Sequence, residues 1–93
     1  MTFTKRLHPG IMAGEITETV RFWHKPRAKV GSRYAVGPGM VEVTRIRQIE
    51  LPDITPALAR RSGFEGLVDL LKIARHGSGE NIYLIDFEYH DAA

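Results

Sequence analysis

Cationic and aromatic side chains are interleaved in one segment of the chain, a combination typical of proteins that bind single-stranded RNA. Residues 21–33 contain five cations and no acid, namely Arg21, Lys25, Arg27, Lys29 and Arg33. The aromatic side chains among and beside them are Phe22, Trp23, His24 and Tyr34. Lysine and arginine attract phosphates, while aromatic faces stack on unpaired bases. The guanidinium of Arg21 can also bind a phosphate through two parallel hydrogen bonds.

The same segment has a structural explanation that the sequence leaves open. Neighbouring residues on a strand point to opposite faces, so either Phe22 or Trp23 must face a core. A buried Trp23 would pack against other side chains instead of stacking on a base. The cations would then form only a solvated loop.

The sequence offers weaker support for a nucleophile or a metal centre. Thr17 and Thr19 carry hydroxyls, but a threonine needs an adjacent base or amine to become a nucleophile. The chain contains no cysteine, which removes thiolate chemistry, disulfides and cysteine-based zinc sites. The four histidines include no pair at metal-ligand spacing: His8, His24, His76 and His90. We therefore expect no metal and no cofactor.

The net charge of +2 conceals an asymmetry along the 93 residues. Residues 1–47 carry nine Lys/Arg and three acids, whereas residues 48–93 carry four and eight. Such an asymmetry indicates contact with nucleic acid or a membrane. No apolar run is long enough to span a bilayer, and the first residues lack the apolar core of a signal peptide. We expect a cytoplasmic protein with RNA as partner, and no membrane partner.

Short elements must position the basic segment and the two threonines. Pro9 predicts the first turn of a helix that stops at Gly14. β-Branched and aromatic residues then predict a strand over residues 16–23, and a second strand begins at Tyr34. A Gly-Pro-Gly turn at residues 37–39 closes this second strand.

Two longer strands are expected further along the chain. Residues 40–51 form the longest strand candidate, but its apolar residues keep one face only with a one-residue bulge near Thr44 or Arg45. The last strand covers residues 82–89. Its larger side chains share one face: Tyr83, Ile85, Phe87 and Tyr89.

Two helices are expected between these long strands. Thr55 and Pro56 predict the cap and first position of a helix that ends at Arg61. Ser62 and Glu65 match a capping box, after which an apolar stripe at helical spacing continues to Ala74. Gly77 is the predicted end of this helix.

These elements predict an α+β fold with two or three short helices in one domain over residues 1–93. Because few helices separate the strands, a mixed or antiparallel sheet fits better than a doubly wound one. A small sheet must also hide its edges, and curling into a small β-barrel does so economically.

Several motifs, in order, resemble those of the ASCH domain family, which consists of small PUA-like β-barrels. They are Arg6, Ile11-x-x-Gly14-x-x-Thr17-x-Thr19-Val20-Arg21, Val30-Gly31, Gly63-Phe64 and Ile82-x-Leu84-Ile85-x-Phe87. The sharpest part is the segment from Gly14 to Arg21, where the family pattern is Gly-x-Lys-Thr-x-Thr-x-Arg. The resemblance extends from about Phe3 to Phe87.

The resemblance implies a cleft for RNA or a nucleotide-like ligand. On this basis Arg6, Thr17, Thr19 and Arg21 are expected along the cleft. Trp23, Lys25 and Arg33 are expected at its rim. The function that we expect first is therefore binding of RNA or a nucleotide in a basic cleft.

An enzyme is the alternative that the resemblance leaves open. Some small bacterial members are similar to amidohydrolases that deacylate N4-acylated cytidine with a lysine, a threonine and a glutamate. Here Thr19 retains the threonine, but Ile16 stands at the lysine position and Ser62 at the glutamate position. Neither replacement can activate a hydroxyl. An amidohydrolase, or a hydrolase acting on RNA, would need Thr19 together with substitute groups.

Overall fold

The computed structural model describes residues 1–74 and 80–91. Within them a 3-10 helix, Lys5–Leu7, leads into a short α-helix, and a second 3-10 helix covers Leu51–Asp53. The α-helices are α1 (His8–Met12), α2 (Pro56–Arg61) and α3 (Leu67–Ala74). The strands are β1 (Glu18–Trp23), β2 (Arg33–Val36), β3 (Gly39–Ile49) and β4 (Asn81–His90).

The four strands form one antiparallel sheet in the order β1-β4-β3-β2, curled into a half-barrel. The sequence-based expectation of an α+β fold with a curled sheet and a few short helices is confirmed at this level. Since β4 is central, the last strand of the chain pairs with both the first and the third. No helix in the described ranges has the length and apolar character needed to cross a bilayer.

The expected bulge lies in β3 at Thr44. Val43 pairs with Phe87 and Arg45 pairs with Asp86, so Thr44 is the extra residue. Without this insertion the apolar residues after Thr44 would point to the other face of the sheet. The bulge thus keeps Val43 and Ile46 on one face, where both contact the same core cluster.

Apolar side chains cover both faces of β4. On the outer face, Ile82 and Leu84 pack with residues of α2 and α3. The inner face, lined by the predicted row of large side chains on β4, packs with the β3 valines, Trp23 and the segment of the first helices. We call these the outer and inner faces of the sheet.

The predicted end of α1 at Gly14 and the predicted cap of α2 at Thr55 are confirmed. Gly14 follows α1 with φ +76, a conformation that glycine adopts without a steric penalty. The Thr55 hydroxyl accepts a hydrogen bond from the Leu58 N–H (3.1 Å), as expected of a helix cap.

The expected capping box at Ser62 is wrong. Ser62 is the C-terminal cap of α2, and its N–H donates to the carbonyl of Leu58. The next helix starts only at Leu67, where the Asp69 carboxylate accepts the Glu65 N–H (3.1 Å). The spacing of Ser62 and Glu65 fits a capping box, but Ser62 is already part of the C-terminal end of α2 and does not cap α3. The predicted stop at Gly77 lies outside the described residues.

Candidate functional site

Arg21 lies on the inner face of β1, and its guanidinium contacts three groups of the described chain. Its Nε donates to the hydroxyl of Thr19 (3.2 Å), which shares its face of the strand. Its Nη2 donates to the carbonyl oxygen of Thr2 (2.6 Å). The guanidinium carbon lies 5.0 Å from the centre of the Phe3 ring. All three neighbours are electrically neutral.

The charge of Arg21 is therefore poorly compensated within the protein. Burial lowers the pKa of Arg21 from its ordinary value to about 10, because desolvation disfavours the charged form. Among the described acids, none forms an ion pair with this guanidinium. A partly desolvated cation without a counter-ion is an unfavourable arrangement that a bound anion would relieve.

Residues 1–4 cover this part of the inner face. The Phe3 ring packs against that of Phe87, with 5.2 Å between ring centres. Met1 packs on the inner-face cluster that contains Trp23. The carbonyl of Phe3 lies 3.2 Å from Nε2 of His8, which links the segment to α1. Sequence reasoning missed the contribution of Thr2 and Phe3, because no local pattern indicates that these residues fold back to contact Arg21, 18 or more residues away.

The two threonines differ in accessibility. Thr19 is 8% exposed, whereas Thr17 is exposed and its carbonyl accepts the Phe87 N–H, extending the pairing of β1 with β4. In the described chain no carboxylate or amine hydrogen-bonds to the Thr19 hydroxyl; its partner is the Arg21 guanidinium. A guanidinium stays protonated and cannot serve as a general base. The described residues therefore place no general base beside the Thr19 hydroxyl.

Ile16 lies close to the turn that follows α2. A Cβ placed on Gly63 would lie 2.6 Å from Cδ1 of Ile16, so Ile16 lies beside the residue that follows Ser62. Ser62 is 1% exposed, and its buried hydroxyl has no hydrogen-bond partner within the described ranges. This contact is apolar and contains no acid or base.

The prediction that Trp23 lies at the rim of the cleft is wrong. Trp23 is 6% exposed and its ring lies 6.0 Å from that of Tyr83, within the inner-face core. The alternative of a packing role is what the structure shows. Because inward residues of β1 alternate with outward ones, Phe22 lies on the outer face beneath the helices.

Arg33 is also not brought together with Arg21. The register of β2 and β3 places it opposite Glu42, which in turn lies opposite Glu88 on the outer face. Its Nε donates to the Glu42 carboxylate (3.0 Å). Arg33 therefore forms a surface ion pair on the outer face, and its place at the rim of a cleft stays a prediction.

The loop from residue 24 to residue 32 presents the exposed cations. Lys25 and Lys29 are solvent-exposed and have no ion-pair partner among the described residues. The loop is anchored at both ends: Asn81 Nδ2 donates to the carbonyl of His24 (3.0 Å), and the Gly31 N–H donates to that of Val43 (2.7 Å). These anchors hold the two lysines on a defined loop adjoining β1.

Arg6 lies at the helical side of the molecule. Its Nη2 binds the Asp69 carboxylate (2.8 Å), and its guanidinium lies 5.3 Å from the centre of the Phe64 ring. Asp69 also bounds a surface hollow at the start of α3, together with Glu65 and Lys72. Since its charge is paired, Arg6 is a less available cation than Lys25 or Lys29.

No protein-family model, curated protein or solved structure matches this chain. The similarity to ASCH domains therefore stays a prediction from the motif residues. Across the described ranges, no group of three or more potential ligands could hold a metal ion. The site is defined by its geometry alone: Arg21 with its neutral partners, and the exposed lysines of the following loop.

Proposed function

We propose that this chain is a PUA-like ASCH domain that binds RNA or a nucleotide-like ligand through Arg21 and the loop over residues 24–32. The observation that carries the proposal is the environment of Arg21. Its guanidinium is partly desolvated, and its partners among the described residues are all neutral, namely a hydroxyl, a carbonyl and an aromatic ring. A phosphate would supply the missing negative charge through charge-assisted hydrogen bonds.

The lysines of the loop extend this site along a strand of nucleic acid. Four residues of chain span at most about 14 Å, so Lys25 lies within that distance of Arg21. Lys25 and Lys29 are exposed and can each contact a further phosphate. Such contacts follow the backbone of the nucleic acid and do not read its sequence.

The test is the affinity for a labelled single-stranded RNA of about 8 nucleotides, measured by fluorescence anisotropy at several salt concentrations. Wild type should bind more tightly at low salt. Replacing Lys25 and Lys29 together by alanine should weaken binding and reduce the slope of log affinity against log salt by about 1.4, since each phosphate contact on a single strand contributes about 0.7.

A charge-matched control is the pair of substitutions Arg45→Ala and Arg60→Ala. Both residues are exposed cations outside the loop and outside the inner face. This control should keep most of the wild-type affinity. The proposal is wrong if wild type fails to bind RNA at low salt, or if the lysine pair and the control pair lose the same affinity.

The enzymatic alternative is decided by a separate measurement. Wild type and Thr19→Ala are incubated with N4-acetylcytidine, and released acetate is assayed. We expect no release by either protein, because the described partner of Thr19 is a guanidinium. Release by wild type alone would replace the binding proposal with an amidohydrolase. The proposal includes a cytoplasmic location, which the lack of cysteine suits.

A further inference from the structure

Residues 1–4 present to Arg21 the two chemical features that a nucleotide would present. Thr2 supplies an acceptor oxygen 2.6 Å from Nη2, where a phosphate oxygen would bind. Phe3 supplies a flat ring 5.0 Å from the guanidinium carbon, where a base could stack. The same ring packs on Phe87, which belongs to the inner-face core.

We propose that residues 1–4 are an intramolecular competitor for the nucleotide site, and that a bound nucleotide takes the positions of the Thr2 carbonyl and the Phe3 ring. This inference rests on the proposed function and adds how the site is regulated. In the unliganded protein the segment shields the guanidinium. In the complex, the phosphate pairs with Arg21 and the base lies over Phe87.

The attachment of the segment makes displacement feasible. Residues 1–3 belong to no helix or strand, and none of their backbone groups hydrogen-bonds to the backbone of the described sheet. Thr2 is exposed, while Met1 and Phe3 are half-buried. The segment is held by the Arg21 contacts, the approach of the Phe3 carbonyl to His8 and the packing of two side chains.

A phosphate should bind the Arg21 guanidinium more strongly than the Thr2 carbonyl does. The Thr2 carbonyl accepts one hydrogen bond from the guanidinium and carries no net charge, whereas a phosphate can accept two parallel hydrogen bonds and carries a negative charge. The phosphate also neutralises the desolvated charge. The cost of binding is the loss of Met1 and Phe3 packing, so affinity should rise when that packing is weakened.

The first experiment compares wild type with Phe3→Leu, using the RNA probe and uridine 5′-monophosphate. Leucine keeps an apolar side chain on Phe87 but removes the ring beneath Arg21. Both ligands should bind about two- to fivefold more tightly to the variant, the factor expected for loss of one exposed cation–π contact from the competitor. Phe64→Leu removes the equivalent ring beneath Arg6 and should leave affinity unchanged.

The second experiment follows Phe3 itself in the wild-type protein labelled with fluorinated phenylalanine. The Phe3 resonance is the one absent from Phe3→Leu. Addition of the RNA should move it towards the shift of a solvent-exposed ring, while the Phe87 resonance keeps a core-like shift. This readout does not depend on the stability of the variant.

The outcomes separate this inference from the proposed function. If neither wild type nor Phe3→Leu binds RNA, the proposed function fails and the inference fails with it. If wild type binds RNA while the Phe3 resonance stays in place, the function stands and the competitor is disproved. Weaker or unchanged binding by Phe3→Leu also overturns it, since the ring would then support the ligand or take no part.

Discussion

Arg21 combines hydrogen bonds that stabilise the fold with a desolvated charge that destabilises it. Its hydrogen bonds to Thr19 and Thr2 favour the folded state, but desolvation of the guanidinium opposes them. Replacing a buried charge by an apolar side chain of similar length is often neutral or stabilising. Under the proposed function, the guanidinium contributes mainly to anion binding and little to folding.

We predict that Arg21→Met separates binding from stability. The free energy of unfolding, measured with urea, should stay within about 1 kcal/mol of wild type, because the lost hydrogen bonds and the relieved desolvation offset each other. Affinity for the RNA should fall about tenfold or more, the cost of losing a charge-assisted contact. Arg21→Lys, which keeps the charge but not the planar fork, should bind between the two.

The opposite pattern would contradict this view of Arg21. A loss of several kcal/mol in the unfolding free energy, with RNA affinity retained, would make Arg21 a structural residue of the inner face.

The sequence predicts which side chains of β1 share a face, but it does not predict which of them are buried. Alternation along a strand predicts that Thr19 and Arg21 share a face, and the structure shows them hydrogen-bonded. The same alternation puts Trp23 on that face, but whether the face is open or buried depends on what covers it. That cover includes Met1 and Phe3, whose contacts are long-range and have no local signal.

The sequence predicted the end of α1 and the start of α2 correctly, but not the start of α3. Gly14 stops α1, Thr55 caps α2, and the bulge at Thr44 follows from the two-residue period of a strand. These features depend on a few neighbouring residues. The start of α3 also depends on neighbouring residues, but the Asp69 carboxylate, and not Ser62, accepts the backbone N–H there, so the pattern at Ser62 pointed to the wrong position.

We predict that Asp69 makes the stability of the protein depend on pH. The Glu65 N–H and then the Arg6 guanidinium hold the pKa of Asp69 below its ordinary value. A carboxyl whose folded pKa is lowered stabilises the fold above its unfolded pKa, and this contribution is lost as pH falls through the folded pKa. Urea unfolding from pH about 6 to about 2.5 should therefore show a larger loss of stability for wild type than for Asp69→Asn.

Arg6→Ala is the control for the cause of this effect. It removes the second of the two hydrogen bonds but keeps the first and larger contribution, from the Glu65 N–H. Its pH dependence should lie between those of wild type and Asp69→Asn. Equal pH dependence in wild type and Asp69→Asn would show that the α3 start does not use the ionised carboxylate.

At the scale of the whole molecule, the outer and inner cores are joined where α2 ends. Phe64 packs against both clusters, the outer one under α2 and α3 and the inner one with Leu7 and Ile11. Gly63, just before it, has φ +93, and a Cβ there would lie 2.6 Å from Ile16 and 2.7 Å from Leu7. The turn after α2 thus packs closely, at one glycine, against the first helices and the residues just before β1.

We predict that this close approach costs stability when a methyl group is added. Gly63→Ala meets both a positive φ and two core side chains, whereas Gly14→Ala meets a positive φ with nothing within 4 Å. The control should lose about 1 kcal/mol of unfolding free energy from backbone strain. Gly63→Ala should lose about 1–3 kcal/mol more, the range expected of overpacking. Equal losses in urea unfolding would mean that Ile16 and Leu7 move aside freely, and that the two cores are not coupled at this point.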